Sequence, residues 1–201
     1  RIGIELNRTN MCSWAIRVAD QCSPLLELNR AEILSGPLIN ADETTAQVLD
    51  EPGRLNTSKS YMWVYRGGPP GRPGLIYQYH PTRAGEVAKA FLAGYKGYVQ
   101  TDGYAGYNFL AELDGVVHVG CWAHARRKFM EVIQARGKKG KSGSADEALA
   151  YIQKLYRIEH EAKSRGITGK ELSEERELKA KPVLDKFKGW LDKKVLQVPP
   201  K

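Results

Sequence analysis

The chain has 201 residues, 42% of them hydrophobic and 27% charged, enough for one good core with appendages. It contains no run near the roughly 20 apolar residues of a membrane span. Cys12, Cys22 and Cys121 are too few and too scattered for a disulfide framework, which argues for a reducing cytoplasm. Thirty-one Lys and Arg against 23 Asp and Glu leave a net charge of +8, a balance that favours a polyanionic partner, most often nucleic acid.

The opening residues, RIGIELNRTN, lack an initiating Met and are too polar for a signal peptide, so they read as part of a longer protein. Residues 1–36 are predicted helical, with Met11, Trp14 and Val18 at helical spacing and Leu25, Leu28 and Ile33 following Pro24. Within them, residues 3–15 resemble the second half of a helix-turn-helix, or else form a helix that packs Trp14 on the core. Gly36-Pro37 punctuates. Three strand-like runs follow at 38–49, 60–65 and 75–79, separated only by Asp50-Glu51-Pro52-Gly53 and GGPPGRPG turns, which predicts an antiparallel meander.

The pattern then alternates. Ala84, Val87, Ala88 and Phe91 predict a helix stopped by Gly94. Tyr98–Thr101 is the fourth strand, 104–113 a short helix, Val116–Val119 the fifth strand and 122–135 a strong helix. GKKGKSGS at 137–144 is a basic linker. Helices are predicted at 145–164 and 171–193, with Pro182 able to break the second. Three antiparallel strands followed by crossovers into parallel strands is the order of a ribonuclease H-like α/β fold with a mixed sheet. The predicted domains are a helical segment (1–36), the core (37–136), and a basic linker with helical insertion (137–201).

In that fold the first strand is central and the fourth lies beside it. Asp42 and Asp102 can then meet although sixty positions separate them. Two close carboxylates repel and call for a proton or a cation, and their oxygens suit Mg2+ or Mn2+. Taken singly, each aspartate reads equally as a turn or helix cap.

Four segments carry a resemblance: INADETTAQVLD (39–50), SYMWVYRGG (60–68), GYVQTDGYAGYN (97–108) and HVGCWAHARRKFMEV (118–132). In order and spacing they resemble the transposases of the insertion-sequence-66 family, from about Gly3 onward. The resemblance implies an Asp-Asp-Glu recombinase with a ribonuclease H-like core. Asp42 and Asp102 would be its first two acids, using Mg2+ or Mn2+ to cleave and join DNA strands at transposon ends. It also implies a bacterial, nucleoid-associated enzyme of the cytoplasm that assembles as a homo-oligomer, with no membrane and no nucleotide as partner. The family's third acid, a glutamate, sits in a downstream motif that nothing here matches. Glu147, Glu159 and Glu161 lie outside such a motif. The expectation is a two-metal site only in the full-length protein and no strand transfer by this fragment.

Cys121 and His124 of CWAHARRKF have a Cys-x-x-His spacing that resembles a signature of several such lineages, which implies that His124 helps position the DNA end. Arg127 lies one helical turn from His124, and Arg126 and Lys128 add charge, so these residues are candidate phosphate contacts. Lys138, Lys139 and Lys141 of ARGKKGKS are candidates for non-specific DNA contact. That segment formally fits a relaxed phosphate-loop pattern, but a helix precedes it and a Gly-Ser linker follows, so nucleotide binding is rejected. His118, Cys121 and His124 lack an evident fourth partner for zinc. Of Tyr104 and Tyr107, at least one is predicted to pack in the core. The rival to an enzyme is a non-catalytic nucleic-acid-binding protein derived from a transposable element. A glycosidase with paired carboxylates is disfavoured by the basic charge and the strand order.

Overall fold

A computed structural model describes residues 6–49, 51–137 and 142–197. The chain divides into two compact units, Arg1–Cys121 and Trp122–Lys201. The helix at 122–136, which the sequence groups with the strands, belongs to the second.

The first unit is built on five strands: β1 (Leu38–Gln47), β2 (Lys59–Gly67), β3 (Gly74–His80), β4 (Gly97–Thr101) and β5 (Val116–Gly120). Their order in the sheet is β3-β2-β1-β4-β5. β2 pairs antiparallel with β1 and β3, whereas β4 pairs parallel with β1 and β5. The sheet is therefore mixed, with β1 in the middle and β4 beside it. Antiparallel neighbours need only turns, whereas the step from β3 to β4 passes through a helix, as parallel pairing requires.

Strand alternation decides which residues face the core. Ile39 and Ala41 of β1, Trp63 and Tyr65 of β2 and Val99 of β4 are buried, and helix α3 (Gly85–Phe91) lays Val87, Ala88 and Phe91 against them. Tyr65 stacks on Phe91 with ring centroids 3.7 Å apart. The short helix predicted at 104–113 is a 3-10 segment, Ala105–Glu112, and adds Tyr107 and Leu110 to the core.

Helices α1 (Arg8–Gln21) and α2 (Ser23–Leu34) precede the sheet. Ile33 of α2 is buried in the core, but α1 buries none of its residues and Trp14 is 51% exposed. Packing of Trp14 on the core therefore does not hold: the apolar stripe of α1 meets no sheet. The helix-turn-helix stretch begins at residues outside those described.

The second unit holds α4 (Trp122–Arg136), α5 (Ser144–Ser164), α6 (Gly169–Glu175) and α7 (Lys181–Val195). Phe129, Leu149, Tyr151, Trp190 and Leu191 close over a core of Ala148, Ile152 and Phe187. A π-helical turn, Arg176–Ala180, joins α6 to α7, and Pro182 sits in the first turn of α7. Proline has no N–H for the carbonyl four residues back, and the wider turn accommodates the missing bond. No described helix is long and apolar enough to cross a membrane.

Candidate functional site

The parallel pairing of β1 with β4 has the same offset that separates Asp42 from Asp102. Leu38 pairs with Tyr98 and Asn40 with Gln100, each sixty positions apart. Asp42 and Asp102 continue that offset one pleat further on. The Asn40 amide donates to Gln100 Oε1 at 2.7 Å, so these side chains share a face. Side chains two residues on return to the same face, which puts Asp42 on the side opposite Ile39 and Ala41, while Asp102 follows directly on the last residue of β4. Asp42 is exposed and Asp102 half-buried.

Asp102 Oδ1 accepts the Tyr104 N–H at 2.9 Å, the cap expected of an aspartate before a turn. Its Oδ2 accepts no hydrogen bond from a described residue, so one oxygen holds the turn and the other remains available. Asp42 Oδ1 accepts the Glu43 N–H at 3.0 Å.

Glu43, which the sequence reading passes over, points the other way. Its side chain is 0% exposed and pairs with Arg83. Oε1 accepts from Arg83 Nε at 2.7 Å and Oε2 from the Tyr107 hydroxyl at 2.5 Å. The Arg83 guanidinium lies 3.8 Å from the centroid of the Tyr104 ring, and the Tyr104 hydroxyl donates to the Arg83 carbonyl at 2.8 Å. One buried carboxylate thus ties β1 to the segment before α3 and to both tyrosines of the TDGYAGYN turn. Burial opposes the charge of Arg83, but the hydrogen bond and charge of Glu43, reinforced by Tyr104 and Asp102, raise its pKa. Burial first, and Glu43 second, push the Tyr107 phenol far above its ordinary range.

Glycine makes this closure possible. A Cβ on Gly85, the first residue of α3, would lie 2.2 Å from the carbonyl oxygen of Gly106. Only a residue without a side chain lets the helix start approach the turn this closely. The parity of ADET, with one acid outward and the next inward, was the signal that could have found Glu43, since a buried carboxylate needs partners.

The cationic candidates lie on α4. His124 is half-buried in its first turn, and Arg126, Arg127 and Lys128 are exposed. Lys128 pairs with Glu131 at 3.3 Å. Lys138, Lys139 and Lys141 lie outside the described residues. His118 Nε2 and the Thr101 hydroxyl are 2.8 Å apart, and the Cys121 N–H donates to the Thr101 carbonyl at 2.9 Å. Among the described residues no group of three or more His, Cys, Asp or Glu could hold a metal ion. Glu147 accepts from Trp190 Nε1 at 2.7 Å, and Glu159 takes both Nε and Nη2 of Arg176.

Over residues 1–201 the chain matches the model of the transposase IS66 family. It belongs to that family. Similar proteins include two from Sinorhizobium fredii. Uncharacterized protein y4jD is 33% identical over 94% of this chain and 38% of its own length. Uncharacterized protein y4qI is 29% identical over 82% of this chain and 32% of its own. The transposase-family chain thus spans well under half the length of these curated relatives. Among solved structures, a chain of the simian T-cell lymphotropic virus intasome in complex with PP2A regulatory subunit B56 gamma aligns with 71% of this chain and 48% of its own. Its TM-score is 0.35 at 11% identity, too slight a likeness to establish a shared fold.

Proposed function

We propose that the chain carries the first two acids of a DNA transposase with a ribonuclease H-like core, Asp42 and Asp102, which hold divalent metal for phosphoryl transfer at transposon ends. The observation that supports this most directly is the parallel pairing of β1, which carries Asp42, with β4, whose end is followed at once by Asp102. Family membership supplies the reaction class, and the basic composition suits a DNA partner.

The donor set fits a hard cation in part. Both residues offer carboxylate oxygens, the ligands that Mg2+ and Mn2+ prefer, and Asp102 keeps one oxygen outside its turn. Such an ion, when bound, polarises a phosphoryl oxygen and makes water or a 3′-hydroxyl a stronger nucleophile. The protein's own part is orientation. The β1–β4 pairing sets the spacing of the two carboxylates, the Tyr104 N–H fixes the rotamer of Asp102, and Glu43 with Arg83 and Tyr107 braces the turn from beneath. His124, Arg126, Arg127 and Lys128 serve DNA contact. Two acids are short of the family's three, so the full-length oligomer, acting in the bacterial cytoplasm on nucleoid DNA, performs strand transfer and these 201 residues alone do not.

Mn2+ titration of the wild-type chain, Asp42→Asn and Asp102→Asn by calorimetry tests the reading. Each substitution is expected to weaken binding by about 10-fold or more, as loss of a charged ligand does. Binding equal in all three proteins would refute a shared site. The rival, a non-catalytic nucleic-acid-binding protein, predicts no specific Mn2+ binding at all, so the same titration separates the two.

A further inference from the structure

Three of the six described arginines of the helical unit, and several of its lysines, pair with acids. Arg136 pairs with Asp146, Arg165 with Glu175, Arg176 with Glu159, Lys181 with Glu177 and Lys188 with Asp192. Arg126, Arg127 and Arg157 make no ion pair with a described residue. They are not scattered. Arg126 and Arg127 line a groove of about 800 Å³ between α4 and α5, together with Gln134, Gln153 and Tyr156. Arg157 lies one turn on from Gln153, on the same face of α5. A second, more apolar cavity of about 410 Å³ in the same unit shows the opposite arrangement: its Arg176 and Lys181 both have acidic partners.

We propose that the groove between α4 and α5 is a track for one strand of DNA. This rests on the reading of the chain as one that acts on DNA, and goes beyond it by naming the surface, the form of DNA and four residues not otherwise assigned. Unpaired arginines in a concavity attract phosphates. The two glutamine amides donate to phosphate or sugar oxygens and also tolerate any base edge. Tyr156 is 44% exposed and presents a ring on which a base can stack, as sequence-tolerant single-strand sites do. In a duplex the bases are stacked on one another and paired, leaving no free face for Tyr156, whereas a single strand can turn a base onto the ring, so the groove suits one strand.

The test is fluorescence anisotropy with the full chain in EDTA, using a labelled oligonucleotide of about 12 thymidines and a duplex of the same length. Arg126→Gln/Arg127→Gln is expected to weaken single-strand binding about 10-fold and to reduce the log–log salt slope by about 1.4, for two lost phosphate contacts. Tyr156→Ala is expected to weaken it roughly 10-fold while Tyr156→Phe keeps it, because stacking needs the ring and not the hydroxyl. These side chains are exposed, so circular dichroism is expected to match wild type. Lys188→Ala, which removes a paired lysine, is expected to leave affinity unchanged. Wild-type affinity in the double Arg variant, equal losses in Lys188→Ala, or a duplex bound as tightly as the single strand would each overturn the proposal. Because no metal is present, loss of this result leaves the Asp42–Asp102 titration untouched, and failure of that titration leaves this one standing.

Discussion

Replacement of Glu43 by Ala is the most direct probe of how the two motifs are held together. The carboxylate has no solvent exposure and accepts from Tyr107 and Arg83. Without it the Tyr107 hydroxyl, on a residue that is 0% exposed, loses its acceptor, at about 1–3 kcal/mol for an unsatisfied buried donor. Arg83 is 41% exposed and can turn toward water, so its share is about 1 kcal/mol, well short of the roughly 3–5 kcal/mol of a broken fully buried pair. The sum is about 2–4 kcal/mol of stability, or a melting temperature lower by roughly 5–15 °C in a chain of this size. Glu43→Gln retains an acceptor for Tyr107 and is expected to cost about half as much. Urea unfolding followed by tryptophan fluorescence measures this, since Trp63 lies 6.0 Å from Tyr107 in an edge-to-face contact and reports the same unit. In a Tyr107→Phe background the cost of Glu43→Ala should shrink by about 1 kcal/mol. A cost below about 0.5 kcal/mol, or no coupling to Tyr107, would refute the brace.

Gly85→Ala drives a Cβ into the Gly106 carbonyl and is expected to destabilise by about 1–3 kcal/mol in the same urea assay, whereas Gly103→Ala in the same turn, where nothing lies within 4 Å, should change stability by less than about 0.5 kcal/mol. Burial, with Glu43 next, raises the phenols of Tyr65 and Tyr107 above their ordinary 10.0. Groups raised in the folded state stabilise fully below the unfolded value and lose that contribution as pH climbs past it. Stability is therefore expected to fall above pH 10 by roughly 1.4 kcal/mol per pH unit for each tyrosine, and Tyr65→Phe should flatten the decline seen in alkaline melting curves. Arg136, and after it the Gly143 N–H, hold the Asp146 carboxyl well below its ordinary 3.8; a lowered group stabilises above its unfolded value and loses that as pH falls below it, so acid melting of the helical unit below pH 4 should be weaker in Asp146→Asn.

Much of the first unit is written in local patterns. The aromatic alternation of SYMWVY marks β2 with Trp63 and Tyr65 inward, and the 3.6-residue recurrence of Val87, Ala88 and Phe91 marks α3. The meander and the later parallel strands follow from the lengths of the connections. What local pattern does not carry is partnership across distance. Arg83 is forty positions from Glu43 and Tyr107 sixty-four, and no spacing rule links them. The 3-10 form of 105–112 was equally hidden: Gly106 weakens an α-helix there, and the Tyr107 N–H closes on the Tyr104 carbonyl in an i,i+3 bond. The exposed stripe of α1 shows the converse failure, since helical periodicity states which residues share a face but not what covers it.

The two readings of Asp102, turn cap and metal ligand, are not competitors. A carboxylate has two oxygens, and here one closes the turn to Tyr104 while the other stays outside it. The cap restricts the rotamer, and a ligand with a fixed rotamer loses less entropy on meeting a cation. The Asp-Glu step of ADET divides labour in the same way. Strand geometry sends Asp42 to the outer face and Glu43 to the inner one, so one dipeptide supplies a candidate ligand and the buried anchor for the turn that carries the other. Exchange of these two residues would keep composition and charge, yet put a shorter acid where Tyr107 and Arg83 need a longer one. Asp42→Glu/Glu43→Asp is therefore expected to lose both the stability measured for the brace and the Mn2+ affinity, whereas Asp42→Asn is expected to lose the affinity alone. Equal stability of the exchanged protein and wild type would break the link drawn between the two motifs.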